Sequence, residues 1–174
     1  MSSMNTNKRF YKNNVSIILE KKNLICFLII ILTFFLDRIS KIKILDHQLY
    51  NNRVYINDFI NFDLVWNTGV GFGLFSFNSN LIYNSISAII GIVIIFLIYW
   101  LIKSVFIDKI FISLVLGGAL GNFYDRLTYN AVPDFIDIHY KDLHWFTFNM
   151  ADIFITVGII MLLGKELFIK NEKN

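Results

Sequence analysis

Leu81–Ile102 is a run of twenty-two residues without a charge, and it limits the possible folds more than any other feature of the chain. At 1.5 Å per residue such a helix is about 33 Å long, which matches a hydrocarbon layer of about 30 Å. Three shorter apolar runs accompany it. Leu24–Leu36 is interrupted by Asp37 but extends to Leu45 if that charge is tolerated. Ile110–Tyr124 ends at Asp125, and Ile153–Gly164 lies between Asp152 and Lys165. The hydrophobic fraction is 56%, above the roughly 45–50% usual for soluble domains, and the excess is concentrated in these runs. No small-residue cleavage site follows the first run, so it reads as an uncleaved helix and not a signal peptide.

The resulting expectation is an all-α membrane protein in one domain spanning residues 1–174. Its four transmembrane helices fall at about 24–45, 81–102, 107–124 and 150–169, joined by outer loops at 46–80 and 125–149. Within the first loop Ile60, Phe62, Leu64 and Trp66 alternate with Asn61, Asp63 and Val65, the period of a strand. Gly69, Gly71 and Gly73 then break the regularity. A small extracytoplasmic β-hairpin or half-barrel is expected there, between helices one and two. Residues 125–148 read as a polar loop holding the only proline, Pro133.

Charge placement sets the direction of insertion. The N-terminal tail, the Lys103–Lys109 turn and the C-terminal tail hold ten of the sixteen Lys and Arg, whereas the other loops and adjoining helix ends hold six, with nine of the thirteen acids. By the positive-inside rule both termini are cytoplasmic. Helices one and three then carry Asp37 and Asp125 to the outer face, and helix four begins there with Asp152. The net charge of +3 is small and scattered, which argues against a nucleic-acid partner. Cys26 is the only cysteine, so no internal disulfide forms. The residues before it, Asn23-Leu24-Ile25, lack the small residue that lipid attachment favours.

Asp134 and Asp152 are the candidate catalytic pair. Two neighbouring carboxyl groups cannot both ionise easily and so share a proton. The charged one can take a proton from water while the neutral one donates to a carbonyl oxygen. Asp152 opens a helix, and the helix dipole favours its ionised form. On spacing alone the plainer reading is that Asp152 caps helix four and Asp134 makes a turn. Asp37 and Lys41, four apart, can pair on one helix face, as can Asn122 and Arg126. Gly117-Gly118-Ala119-Leu120-Gly121-Asn122 suits close helix packing or a functional role about equally. The loop Asn67–Gly73 lacks the context of a phosphate cradle. His47, His139 and His144 share no ligand spacing, and His144 beside Trp145 and Phe146 reads as an interfacial residue, so neither metal nor cofactor is expected.

Five of these segments, in order over residues 24–165, resemble the lipoprotein signal peptidase (type II signal peptidase) family. Asp37-Arg38-Ile39-Ser40-Lys41 is similar to its Asp-x-x-Thr-Lys, with Ser40 for threonine. Asn67-Thr68-Gly69-Val70-Gly71-Phe72 is similar to Asn-x-Gly-x-Ala-Phe, with Gly71 at the alanine. Gly117–Asn122 with Asp125-Arg126, Val132-Pro133-Asp134-Phe135 and Phe148-Asn149-Met150-Ala151-Asp152 complete the set. The resemblance implies a bacterial inner-membrane aspartic endopeptidase with its site at the periplasmic face. It would remove signal peptides from diacylglyceryl-modified prolipoproteins by cutting before the lipidated cysteine. Asp134 and Asp152 would be the dyad. Asn67, Gly69, Asn122, Arg126 and Asn149 would line the site, and Asp37 and Lys41 would support it. Membrane lipid is the other expected partner, and a monomer is the expected working unit. A transporter would instead spread its acids through the membrane depth, a metal-dependent transferase would need octahedral carboxylate spacing, and a scaffold would use the polar pairs only for packing.

Overall fold

The computed structural model describes residues 20–48, 53–69 and 80–171. Four helices and four strands follow one another as α1 (Lys21–Gln48), β1 (Val54–Asn57), β2 (Ile60–Asn67), α2 (Asn80–Lys103), α3 (Phe106–Tyr129), β3 (Val132–Tyr140), β4 (Leu143–Phe148) and α4 (Met150–Asn171). Helix α3 is central and packs against α1, α2 and α4. It runs through Asp125 to Tyr129 and does not stop at the charge. Its stop is Asn130, in the left-handed conformation at φ 54°, which an Asn side chain tolerates better than most.

The helices are apolar outside and polar within. Phe27, Leu28 and Leu32 on α1, Ile92, Ile95 and Ile102 on α2, and Ile160 and Leu163 on α4 are exposed. Asp37, Lys41, Asp125 and Asn149 are completely buried. That inversion suits a hydrocarbon solvent, where outward apolar surface costs nothing and charges must face the bundle interior. Two helices among the described residues, over Tyr83–Lys103 and Phe106–Tyr129, are long and apolar enough to cross a membrane. Ile94 and Leu97 of α2 pack with Ile112, Val115 and Leu116 of α3 to form the apolar core.

Small residues let α3 come close to its neighbours. A Cβ on Gly117 would overlap the Thr33 hydroxyl and lie 2.8 Å from the Ile30 carbonyl oxygen of α1. A Cβ on Gly118 would lie 2.5 Å from the Ala151 carbonyl oxygen of α4. Backbone cannot yield as a flexible side chain can, so both positions exclude larger residues.

The polar segments hold more structure than a lone hairpin. The strands form one antiparallel sheet in the order β1-β2-β3-β4, so residues 125–148, expected as a loop, contain a second hairpin. Expectation and structure differ because β3 has no clean period of two: Val132, Pro133, Asp134 and Phe135 are all buried in succession. In β2 the alternation does mark a strand, yet the buried residues are Asn61 and Asn67. A register shift between Phe62 and Val65 breaks the alternation, and Val65 and Trp66 are exposed. The β2–β3 pairing sets Asn67 opposite Val132 and Val65 opposite Asp134, which ties the two polar segments together.

Gly118→Ala is expected to destabilise the protein by about 1–3 kcal/mol through overpacking. Gly164→Ala, where a Cβ would meet nothing within 4 Å, is expected to be neutral or stabilising by up to about 1 kcal/mol. Thermal unfolding in detergent measures both.

Candidate active site

Lys41 organises the polar interior. Its ammonium has three protons, and Nζ donates to three acceptors: Asp37 Oδ2 at 2.8 Å, Asn122 Oδ1 at 2.8 Å and Asp125 Oδ2 at 2.6 Å. The second oxygen of Asp125 accepts from the Arg38 guanidinium, which also sits 4.7 Å from the Tyr124 ring centroid. The second oxygen of Asp37 accepts the backbone N–H of Ala151 at 2.9 Å. Two carboxylates and two cations therefore balance in a buried cluster in which each carboxylate uses both oxygens, the condition under which buried charge is tolerated. Ser40, at the family's threonine, donates its hydroxyl to the Asp37 carbonyl oxygen at 2.7 Å.

Asn149 is the junction between the two candidate acids. It immediately precedes α4, and its Oδ1 accepts the N–H of Asp152 at 3.1 Å. Asp152 Oδ2 in turn accepts the N–H of Asn149 at 3.1 Å. This reciprocal pair is a capping box, and it fixes both side chains at the start of the helix. The remaining Nδ2 of Asn149 donates to Asp134 Oδ1 at 2.5 Å. One residue thus holds the Asp134 carboxyl by its side-chain nitrogen and the Asp152 carboxyl by its backbone N–H. Each acid also has a private donor: Asn67 Nδ2 to Asp134 Oδ2 at 2.9 Å, and Asn122 Nδ2 to Asp152 Oδ1 at 2.8 Å.

Arg126 closes the site next to Gly69. Its Nη2 donates to the Gly69 carbonyl oxygen at 2.8 Å, and the Gly69 N–H donates to Asn67 Oδ1 at 2.9 Å. Tyr83 donates its hydroxyl to the Arg126 carbonyl oxygen at 3.0 Å. Burial raises the Asp134 carboxyl from its ordinary 3.8 to about 6, and the nearby Asp152 charge pushes the same way, against the Asn67 and Asn149 hydrogen bonds. Asp134 therefore holds a proton more readily than a free carboxyl group does. A cavity of about 330 Å³ abuts Asp152, with Ile138, Phe146, Phe148, Ile153 and Val157 in its walls. The arrangement offers a proton acceptor and a proton donor beside a space suited to an apolar ligand.

Asp134, Asp152, Asn67, Gly69, Asn122, Arg126, Asn149, Asp37 and Lys41 all belong to this one hydrogen-bonded assembly. Gly71 and the rest of its loop lie outside the described residues. The linking role of Asn149 escapes a motif reading, although Asn three residues before Asp at a helix start is the signature of a cap. Arg38 was also missed as a partner of Asp125. His139 and His144, which share no sequence spacing, lie together with Asp137 on the sheet, with ligand atoms all within 4.8 Å of one another.

The family model described as "Signal peptidase (SPase) II" matches residues 29–168. The lipoprotein signal peptidase of Pelagibacter ubique (strain HTCC1062) is 49% identical over 147 residues, which are 83% of this chain and 89% of that protein. That of Anaplasma phagocytophilum (strain HZ) is 37% identical and matches 88% of this chain and 99% of its own length. Among solved structures, a bacterial membrane enzyme determined by the in meso method at 2.3 Å superposes with a TM-score of 0.72 at 29% identity, covering 86% of this chain and 91% of that one. A second, at 1.9 Å, gives a TM-score of 0.64 at 30% identity, covering 82% and 92%.

Lys41→Ala strips a buried cluster of its shared cation and is expected to lower stability by about 3–5 kcal/mol, read by thermal unfolding in detergent. A raised carboxyl pKa means that the folded protein binds a proton more tightly than the unfolded chain. The stabilisation is then complete below about pH 4 and is lost as pH rises through about 6. Two pH units correspond to about 3 kcal/mol. Between pH 4 and pH 7 the melting temperature of the wild type is expected to drop relative to that of Asp134→Asn. Parallel curves for the two proteins would show that Asp134 titrates normally.

Proposed function

The chain belongs to the signal peptidase (SPase) II family, peptidases that remove the signal peptides of prolipoproteins, and on that premise we propose that it does so as an aspartic peptidase with Asp134 and Asp152 as its catalytic dyad. The observation that carries this reading is the Asn149 bridge, which ties both carboxyl groups to one residue, Asp134 through the side-chain amide nitrogen and Asp152 through the backbone N–H. A structural cap for α4 needs only Asn149 and Asp152. It does not need a second, buried carboxyl group on the side-chain nitrogen of the same residue, nor a further asparagine on each acid.

The chemistry follows from the environments. Asp152, at a helix N-terminus and accepting two N–H bonds, is the ionised base. Asp134, with its raised pKa, is the acid. Asp152 takes a proton from the attacking water as its oxygen bonds to the scissile carbonyl carbon, and Asp134 gives its proton to the carbonyl oxygen. In the second step Asp152 passes its proton to the leaving nitrogen, Asp134 takes one back from a hydroxyl of the tetrahedral intermediate, the C–N bond breaks, and the dyad returns to its starting state. Water and peptide become a carboxylic acid and an amine, and no metal or covalent intermediate takes part. Asn67 and Asn122 keep both acids in place without carrying charge of their own.

All four helices are proposed to cross the inner membrane with both termini cytoplasmic. Two of them qualify on length and apolarity alone. The support for α1 and α4 is that their charges lie buried or near their ends while their outer faces remain apolar. Asp37 and Asp125 meet on the Lys41 ammonium, and Asn122 links that ammonium to Asp152, as they would if the helices alternated in direction. The dyad then sits at the periplasmic face. A substrate whose cysteine carries a diacylglyceryl group remains in the bilayer, and the apolar cavity beside Asp152 opens toward that kind of ligand. The hydrogen-bonded site closes within one chain, in keeping with a monomer.

Purified protein is to be incubated with a diacylglyceryl prolipopeptide, with and without a chelator. Cleavage before the lipidated cysteine is expected in both. Asp134→Asn and Asp152→Asn are each expected to lower kcat/KM by about 10³-fold or more while the protein still folds and inserts. Near-normal turnover in either variant would discard the dyad, and loss of activity on chelation would favour metal-dependent chemistry.

A further inference from the structure

We propose that Asp137, His139 and His144 form a binding site for one divalent transition-metal ion of the zinc type, on the sheet face opposite the apolar cavity beside Asp152. The inference is independent of the dyad assignment.

The three residues come together through strand pairing. Asp137 and His139 are two apart on β3 and so point to the same face. His144 on β4 is the cross-strand partner of His139, and Asn61 on β2 is the cross-strand partner of Asp137. Ile138 of the same strand and its partner Phe146 face the other way, into the cavity wall. Three strands thus present two imidazoles, a carboxylate and an amide to one point.

The spacing suits a tetrahedral ion. Bonds of about 2.0–2.1 Å set the ligand atoms of zinc about 3.3 Å apart. Here His144 Nδ1 lies 2.8 Å from Asp137 Oδ2, and His139 Nδ1 lies 3.7 Å from the same oxygen. All three ligand atoms fall within 4.8 Å of one another. The imidazole rings are near-parallel, with centroids 5.4 Å apart, so small side-chain rotations bring the nitrogens together.

Two further observations point to a cation. Asn61 is buried, and its Oδ1 has no hydrogen-bond donor, an uncommon and costly state. An ion, or water bound to one, would satisfy it. The Asn61 Nδ2 is also 3.3 and 3.4 Å from the two ring nitrogens of His139. Near-equal distances to both put the amide away from either lone-pair axis, which leaves an imidazole lone pair for a metal. Asp137 and His139 are buried, and His144 is the exposed side by which an ion would enter.

Arg53 is the competing cation. Its Nη2 lies 3.1 Å from Asp137 Oδ2 and 3.4 Å from His144 Nδ1, and its Nε pairs with Asp63 at 3.1 Å. Entry of an ion displaces Nη2, and Asp63 retains the guanidinium. Two imidazoles select a transition metal over Mg²⁺ or Ca²⁺. The bound ion would fasten β4 to β3 on the sheet face away from the cavity, and cleavage is expected to proceed without it.

The test uses the full chain in detergent, free of any affinity tag, stripped with chelator and titrated with Co²⁺, then displaced with Zn²⁺. One Co²⁺ per chain with the strong visible absorption of a tetrahedral site is expected, unchanged by excess Mg²⁺. His144→Ala removes a side chain on the surface and leaves the fold intact, and it is expected to weaken binding by about tenfold or more. Arg53→Gln is expected to tighten binding, and His47→Ala, outside the cluster, to leave it unchanged. Absence of stoichiometric binding, retention of full affinity in His144→Ala, or dependence on His47 would overturn the proposal. Because the readout is binding, it stands or falls separately from the cleavage assay.

Discussion

One ammonium group, on Lys41, sets the arrangement of everything around it. It is fully buried, and its three protons go to Asp37 on its own helix and to Asn122 and Asp125 on α3. A charge in that position is tolerable only if each proton has a partner, so α1 and α3 can dock in one rotation and one register. Asp37 extends the constraint to α4 by accepting the Ala151 N–H, one of the donors a helix start leaves unmatched. Asn122 carries it onward, since the amide that accepts from Lys41 donates to Asp152. The position of the proposed base therefore follows, through two hydrogen bonds, from a lysine outside the proposed dyad.

The polar segments deliver the other half of the site by different physics. Asp134 lies on a strand, and it is held by Asn67 from the neighbouring strand and by Asn149 from the cap of α4. Helix docking and sheet pairing meet at these two asparagines. Asparagine suits the position because it donates and accepts at once without adding charge. An ionised group in place of either asparagine would change which acid of the proposed dyad holds the proton.

Much of this was legible in the residues, and what was not has a physical reason. The apolar runs and the charges that end them mark the helices. Convergence of Asp37, Asp125 and Asp152 follows from alternating helix direction. The alternation Ile60–Trp66 marks a strand, but not which face is buried, because a register shift intervenes. Strands β3 and β4 were hidden because β3 is buried on both faces at its start and so has no alternation to read. Helix α3 continues past Asp125 because Lys41 and Arg38 neutralise that charge from another helix, information absent from any local window. The cluster of Asp137, His139 and His144 was invisible for a related reason: the spacing makes sense only once the hairpin turn between residues 140 and 143 is known.

The dual role of Asn149 has a consequence for biogenesis. Its backbone and side chain start α4 while its amide nitrogen grips Asp134, so the last helix cannot seat properly without drawing the two acids together. A chain that ends before α4 holds Asp134 but lacks Asp152, and with the proposed dyad incomplete it would not cleave. A hydrolase assembled in this way carries its own safety catch. On the proposed dyad, it becomes competent only when its final segment locks home.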